Sequence, residues 1–355
     1  MGQAKDTGRW VVIDARGPVL LIDDENVKGL SHRSQLGSVG ARLLFPALVE
    51  TVDSLAGIDE PLTFRDEKFV VRTRPLIAPY SGEPVGAMGI VTNLGEPTPE
   101  PPQVGVWEWV IEPAGAGRLG SRSAYWDETM SDIYGDESPD PSRPRDVSAW
   151  YADRLTVESR GRMADLIEQG ARRPSDELHI LSYTIKDDDG LPIPMRLAAR
   201  AFTDDAGRVL IRGISHVSRS PLEEVQPTLF EPMPEVQIAD FFKLDPGALY
   251  MAINLDYGTF ERWDPAGWRR HKLLDVSSGM LTELVHPEDH HRLGEFVELA
   301  GRDGATATEY VRMAKANGAY MWTQVTAGTL SGFIALRQVL CRVVPVPSFR
   351  DVPAI

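Results

Sequence analysis

The stretch from Leu284 to Trp322 constrains the fold most, because it leads a helix directly into a hairpin. Leu284-Val-His-Pro-Glu-Asp289 opens the helix. Pro287 stands where a first turn tolerates a missing N–H, and Glu288 and Asp289 suit the positive end of the helix dipole. Leu293, Phe296, Val297 and Leu299 then supply an apolar face. Glu309-Tyr-Val-Arg-Met, Asn317-Gly318 and Tyr320-Met-Trp322 follow as strand, turn and strand.

This arrangement resembles the PAS family over residues 248–345, in the subtype where an HP(E/D)D helix precedes an EYR…DGxYxW strand pair. The resemblance implies a five-stranded antiparallel sheet with short helices over one face. It also implies a role in ligand sensing or protein contact, with no catalysis of its own.

A second region looks like the opening of another PAS domain: Gly105-Val-Trp-Glu-Trp109, Ser123-Ala-Tyr-Trp126 and Ile133-Tyr-Gly135. Val106 to Ile111 alternates as a strand should. Ala124 to Tyr134 is expected to hold the first short helices, which places Tyr125 and Trp126 on a helix. Met163, Leu166 and Ile167 share one side of a longer helix. Three strands close the unit, Leu178 to Lys186, Ile193 to Asp204 and Val209 to Ser218. Asp187-Asp-Asp-Gly190 and Asp204-Asp-Ala-Gly207 between them are typical hairpin turns.

The first ninety or so residues carry a fainter copy, beginning with Trp10 to Asp14, a turn at Arg16-Gly-Pro18, and Val19 to Asp23. Phe69 to Ala78, the turn Tyr80-Ser-Gly-Glu83 and Val85 to Thr92 parallel the closing hairpin of the second unit. Recurrence at about a hundred residues indicates tandem modules, since solenoid repeats run roughly 20–50 residues. The first module reads as PAS-like, with a GAF-like sensor fold as the other reading.

The expected fold class is therefore α+β, with tandem PAS-like domains. Residues 1–95 form the first, 96–103 a Pro-rich linker, 104–218 the second, 219–235 another Pro-rich linker, and 236–347 the third, with 348–355 as a tail. Proline stiffens such linkers and blocks continuation of helix or sheet. Val236, Ile238, Phe241, Phe242 and Leu244 are apolar enough for a flanking helix, and it packs on its own domain or pairs with a second copy. Ile238, Phe241 and Phe242 are thus the interaction candidates.

Composition narrows the function. With 52 acidic and 37 basic side chains the net charge is −15, and no Lys/Arg stripe interleaved with aromatics is present, so nucleic acid is a poor partner. The single cysteine, Cys341, allows no intrachain disulfide. The first apolar segment, Trp10 to Ile22, is interrupted by Asp14 and Arg16 and falls short of the ~20 residues that span a bilayer. A cytoplasmic protein, of bacterial type from its composition, is expected.

His286, Glu288, Asp289, His290 and His291 are the richest group of ligating side chains, and a metal-assisted hydrolase would use them. No third ligand matches the His286/His290 spacing, however, and Pro287 keeps His286 at or before the first turn, which favours a helix cap over a metal. No catalytic residue is assigned. Haem would need an axial histidine, for which His32, His271, His290 and His291 are formal candidates, while a light-oxygen-voltage flavin site would need a reactive cysteine that Cys341, in the final strand, does not provide. Haem and flavin thus stay open as cofactors, neither of them favoured. Gly115-Ala-Gly117-Arg-Leu-Gly120 matches G-x-G-x-x-G but lacks a crossover helix and parallel strand, and reads as a loop.

Trp107 and Trp109 lie two apart on one strand face, with Tyr125 and Trp126 following; Tyr310 and Trp322 raise the same question in the third domain. These six either line a ligand pocket or fill the core. The last expected strand ends near Val344 with no effector motif after it, so output is expected through a protein partner that carries the effector function, with homodimerisation also expected. A haem-, flavin- or metabolite-binding sensor with an occupied pocket is the alternative.

Overall fold

The computed structural model describes residues 7–16, 19–23, 26–31, 36–113, 122–136, 140–145, 150–218, 247–255, 258–263, 265–274, 276, 280–301, 306–329 and 338–346. The flanking segment with Ile238, Phe241 and Phe242, together with His32, Gly115 to Gly120 and the tail, lies outside them. The fold is α+β, with three antiparallel sheets and short helices.

The first sheet has six strands: β1 (Trp10–Asp14), β2 (Val19–Asp23), β3 (Asn26–Ser31), β4 (Asp59–Phe64), β5 (Glu67–Ile77) and β6 (Pro84–Asn93), in the order β3-β2-β1-β6-β5-β4. Helix α1 (Phe45–Ser54) covers one face. It continues directly from a π-helical turn at Gly40–Leu44, and Leu55 ends it in the left-handed conformation. Leu48 and Val52 of α1 pack with Val11, Ile13, Phe69, Val71 and Val91.

The second sheet comprises β7 (Val104–Ile111), β8 (Arg122–Trp126), β9 (His179–Lys186), β10 (Pro192–Thr203) and β11 (Val209–Val217), ordered β8-β7-β11-β10-β9. Its hairpin turns are the expected ones, with Gly190 and Gly207 at φ of 78° and 76°. One local expectation fails. Ser123 to Trp126 belong to strand β8, and the helix, α2 (Glu128–Tyr134), starts only after Asp127, whose side chain accepts from Met130 N–H at 2.7 Å. An N-cap residue has extended backbone geometry, so the chain stays a strand up to Asp127.

The third sheet comprises β12 (Leu249–Asn254), β13 (Thr259–Trp263), β14 (Thr306–Ala314), β15 (Tyr320–Thr329) and β16 (Gln338–Pro345), ordered β13-β12-β16-β15-β14. All three sheets share one plan: the module's second strand at or near one edge, then the first, the last, and the two preceding it. The first adds β3 outside that set. The helices α4 (Pro265–His271), α5 (Leu281–Leu284) and α6 (His290–Ala300) accompany the third sheet, and Leu293 and Phe296 of α6 pack with Val311, Met313 and Val325.

By contacts, the chain divides into two compact units. One holds the first two sheets, within Met1–Val110, Arg122–Arg145 and Pro174–Thr228. The other holds the third sheet, within Ile111–Ser121, Asp146–Arg173 and Leu229–Ile355. The longer helix α3 (Val157–Arg172) forms as its periodicity indicates, but it groups with the third sheet, beside β13. In the first unit the two sheets pack face to face: Val12, Leu21, Ile22, Leu76 and Met88 meet Val104, Val106, Ala198 and Ile214. One face of the second sheet is thereby covered, and β7, inside that sheet, is buried at every position.

No helix among the described residues is long and apolar enough to cross a membrane.

Candidate functional site

Alternation along β7 sends Trp107 and Trp109 to one face of the second sheet and Val104, Val106 and Glu108 to the other. On the first of these faces Trp107 lies over Gly213, where an added Cβ would come within 2.6 Å of the indole. Its Nε1 donates to Ser215 Oγ at 2.9 Å. Ser215 also accepts from Tyr183 OH (3.0 Å), and Tyr183 and Tyr134 share a hydrogen bond of 2.7 Å. Tyr134, on α2, meets the Trp126 ring edge-on at 4.8 Å. Burial pushes the Tyr183 phenol up to about 12, against the lowering effect of its two hydrogen bonds, and burial together with the neighbouring Tyr183 raises Tyr134 well above its ordinary value. Both hydroxyls stay protonated, which preserves the chain of donors.

Two of the predicted site residues, Trp107 and Trp126, thus join one buried network, and Trp109 is buried on the same face as Trp107. Tyr125 leaves them. As the neighbour of Trp126 on a strand it points the other way, and its ring lies 4.7 Å from that of Tyr80 in the turn between β5 and β6. The polar links, Tyr183 and Ser215, carried no sequence signal, because strand residues far apart in the chain reveal their neighbours only through register.

The opposite face holds charge. Glu108 is fully buried; it accepts from Arg212 Nε at 2.6 Å and from the backbone N–H groups of Ser81 (2.8 Å) and Tyr80 (3.2 Å). Asp14 of β1 accepts from Arg200 Nε at 2.9 Å. Burial raises the Asp14 carboxyl more than its bonds to Arg200 lower it. Asp127 behaves similarly: burial lifts it to about 6 despite its hydrogen bonds to the backbone and the nearby charge of Arg74.

Beside the third sheet the helix-opening motif works as a clamp on a strand edge. His286 N–H donates to Arg312 O (2.8 Å), and Asp289 accepts Arg312 N–H (2.8 Å), Arg312 Nε (2.9 Å) and Arg292 (2.6 Å). Burial opposes ionisation of Asp289, but these bonds prevail and hold its carboxyl well below the ordinary range. His286 Nδ1 accepts from Glu288 N–H at 3.2 Å, which is a helix cap. His290 Nε2 lies 3.0 Å from the carbonyl oxygens of both Thr282 and Val285, so it serves as a donor there. A nitrogen so engaged cannot also hold a metal or a haem iron. Among the described residues, no three His, Cys, Asp or Glu side chains cluster as a metal site.

Tyr310 and Trp322 alternate with Val311 and Val325, which pack under α6, and so they face away from the helices. Trp322 carries the guanidinium of Arg312 5.4 Å from its centroid, and Gln324 Nε2 donates to Tyr310 OH at 2.8 Å. Neighbouring Tyr320 is exposed and touches His286 ring to ring at 4.5 Å. The six aromatic candidates thus occupy three separate surroundings: a buried network, the turn of the first sheet, and an outer sheet face.

No protein-family model matches this chain, and no curated protein matches it either. Among solved structures, a PAS-B domain of Cycle from Drosophila melanogaster with bound glycerol aligns at 14% identity over 28% of this chain and 99% of its own, with a TM-score of 0.25. A PAS domain of an HTR-like protein from Haloarcula marismortui aligns at 13% identity over 32% and 91%, with a TM-score of 0.26. An uncharacterised protein from Mycobacterium tuberculosis aligns at 16% identity over 97% of this chain and 98% of its own, with a TM-score of 0.52. Over almost its whole length, the chain shares the α+β fold of that mycobacterial protein.

Proposed function

We propose that this protein is a multi-domain signalling sensor or adaptor of the PAS kind, acting by contact with a partner protein that carries the effector function. The observation that carries this reading is the recurrence of one strand order in all three sheets, together with the Asp289–Arg312 clamp at the position where the sequence resembles the PAS motif. The outer face of β14 and β15 adds support. It offers Tyr310, Tyr320, Trp322 and Arg312, residue types that protein interfaces favour. No catalytic role is proposed for His286, Glu288, Asp289 and His290, whose hydrogen bonds are committed to the clamp and to neighbouring backbone carbonyls.

Light scattering with native mass spectrometry on untagged protein, followed by pull-down from its native cell extract, tests the reading. Recovery of a defined protein partner, or a stable dimer, supports it. A monomer that retains no partner overturns it. A small molecule of defined mass released from purified protein would instead favour a sensor with an occupied pocket.

A further inference from the structure

The face of the second sheet that meets the first is not uniform. At one end Arg200 pairs with Asp14 and Arg212 with Glu108, and Ala198 and Ile214 fill the centre. At the other end Arg196 and His216 stand directly opposite each other on β10 and β11, with Ser182 of β9 across from Arg196. Arg196 is 5% exposed and His216 1%. Arg196 has no carboxylate partner among the described residues, and its buried Nε has no hydrogen-bond partner; the buried Nε2 of His216 has none either.

Buried cations and imidazoles are normally paired, because desolvation without a partner is costly. The two open valences are also of opposite kind. Arg196 can only donate. His216 Nδ1 lies 3.1 Å from the carbonyl oxygen of Val217 and so carries the ring proton, leaving Nε2 as an acceptor in the neutral ring. Burial, reinforced by the charge of Arg196, pushes the imidazole down to about 4, which keeps it neutral near pH 7. The complement is a group with an anionic oxygen for the guanidinium and a hydroxyl proton for the imidazole.

We propose that Arg196 and His216 form a binding site for inorganic phosphate, which near pH 7 carries both an anionic oxygen and a protonated one. The site lies on the face of the sheet opposite to Trp107, so it is distinct from the aromatic network. The proposal does not depend on the signalling role.

Isothermal titration and thermal unfolding of the full chain near pH 7, in chloride buffer of constant ionic strength, with inorganic phosphate, methyl phosphate or sulfate as probes, test it. Sulfate matches phosphate in size but carries no proton at that pH. Saturable phosphate binding is expected, with sulfate about tenfold weaker or worse, a gap of about 1.4 kcal/mol. Methyl phosphate, mostly a proton-free dianion near pH 7, should bind more weakly than inorganic phosphate, and the reverse order would overturn the proposal. Arg196→Met should raise the unfolding midpoint in phosphate-free buffer and abolish the phosphate response. His216→Phe should remove the preference for phosphate over sulfate. Equal responses to phosphate and sulfate, no saturable response to either, or an undiminished response in Arg196→Met would overturn the proposal. If the methionine variant does not fold, the His216→Phe comparison decides it.

Discussion

Asp289 holds Arg312 by both its backbone and its side chain, accepting Arg312 N–H at 2.8 Å and Nε at 2.9 Å. The strand β14 lies at the edge of the third sheet, where outward N–H groups would otherwise stay open to pairing. One carboxylate therefore caps the edge N–H of Arg312 and ties the start of α6 to β14. Asp289→Ala leaves two arginines without their shared acceptor. With Arg312 partly exposed, a loss of about 2–3 kcal/mol is expected, below the range for a fully buried pair. Urea unfolding followed by tryptophan fluorescence measures it; a loss under about 0.5 kcal/mol would show the clamp to be ornamental.

The same carboxylate predicts an acid limb. Its folded-state pKa lies below its unfolded one, so its contribution is present above the unfolded pKa and disappears as pH falls through the folded value. Wild-type stability should therefore drop below about pH 4 more steeply than that of Asp289→Ala. Parallel curves for the two proteins would contradict the assignment.

Asp127 acts with the opposite sign. Its folded pKa is raised to about 6, so the native state binds the extra proton, and the penalty is fully present above about 6 and shrinks as pH falls toward the unfolded value. Asn caps helices as well as Asp does. Asp127→Asn should therefore stabilise the protein at pH 7, by about 1 kcal/mol once partial exposure is allowed for, and the gain should vanish near pH 4. Destabilisation at pH 7 would show that the ionised cap is needed.

Glu108 and Arg212 form a deeply buried ion pair. Glu108→Ala strands the guanidinium and leaves the N–H groups of Tyr80 and Ser81 unpaired, with an expected loss of about 3–5 kcal/mol. The double change Glu108→Leu with Arg212→Met removes both charges and should cost much less. A double-mutant cycle by chemical denaturation reads the coupling; additive losses would mean that the two residues act separately.

Tyr183→Phe removes the hydroxyl that links Ser215 to Tyr134. A loss of about 1–2 kcal/mol is expected. Because Trp107 donates to the same serine, its fluorescence should shift, and an unchanged spectrum would place Trp107 outside the network.

Local chemistry made much of this fold legible. Asp187 to Gly190 and Asp204 to Gly207 marked their turns because glycine accepts positive φ at little cost, and Trp10–Asp14 and Val19–Asp23 are the strands their apolar runs indicated. The helix-opening motif at His286 to Asp289 could be read as a cap because capping depends on residues a few positions apart. What only the tertiary structure decided is which faces meet. Glu108 reads as one polar position in an alternating strand, yet it is buried beside Arg212 because the first sheet covers that face. Helix α3 sits in sequence between strands of the second sheet, yet groups with the third. Arg196 and His216 are twenty positions apart and become opposite neighbours only through the register of β10 and β11. Caps and turns are set by short-range hydrogen bonds and backbone sterics. Face-to-face burial and strand register are set by contacts between residues far apart in the chain, and one sequence by itself carries no direct record of those distances.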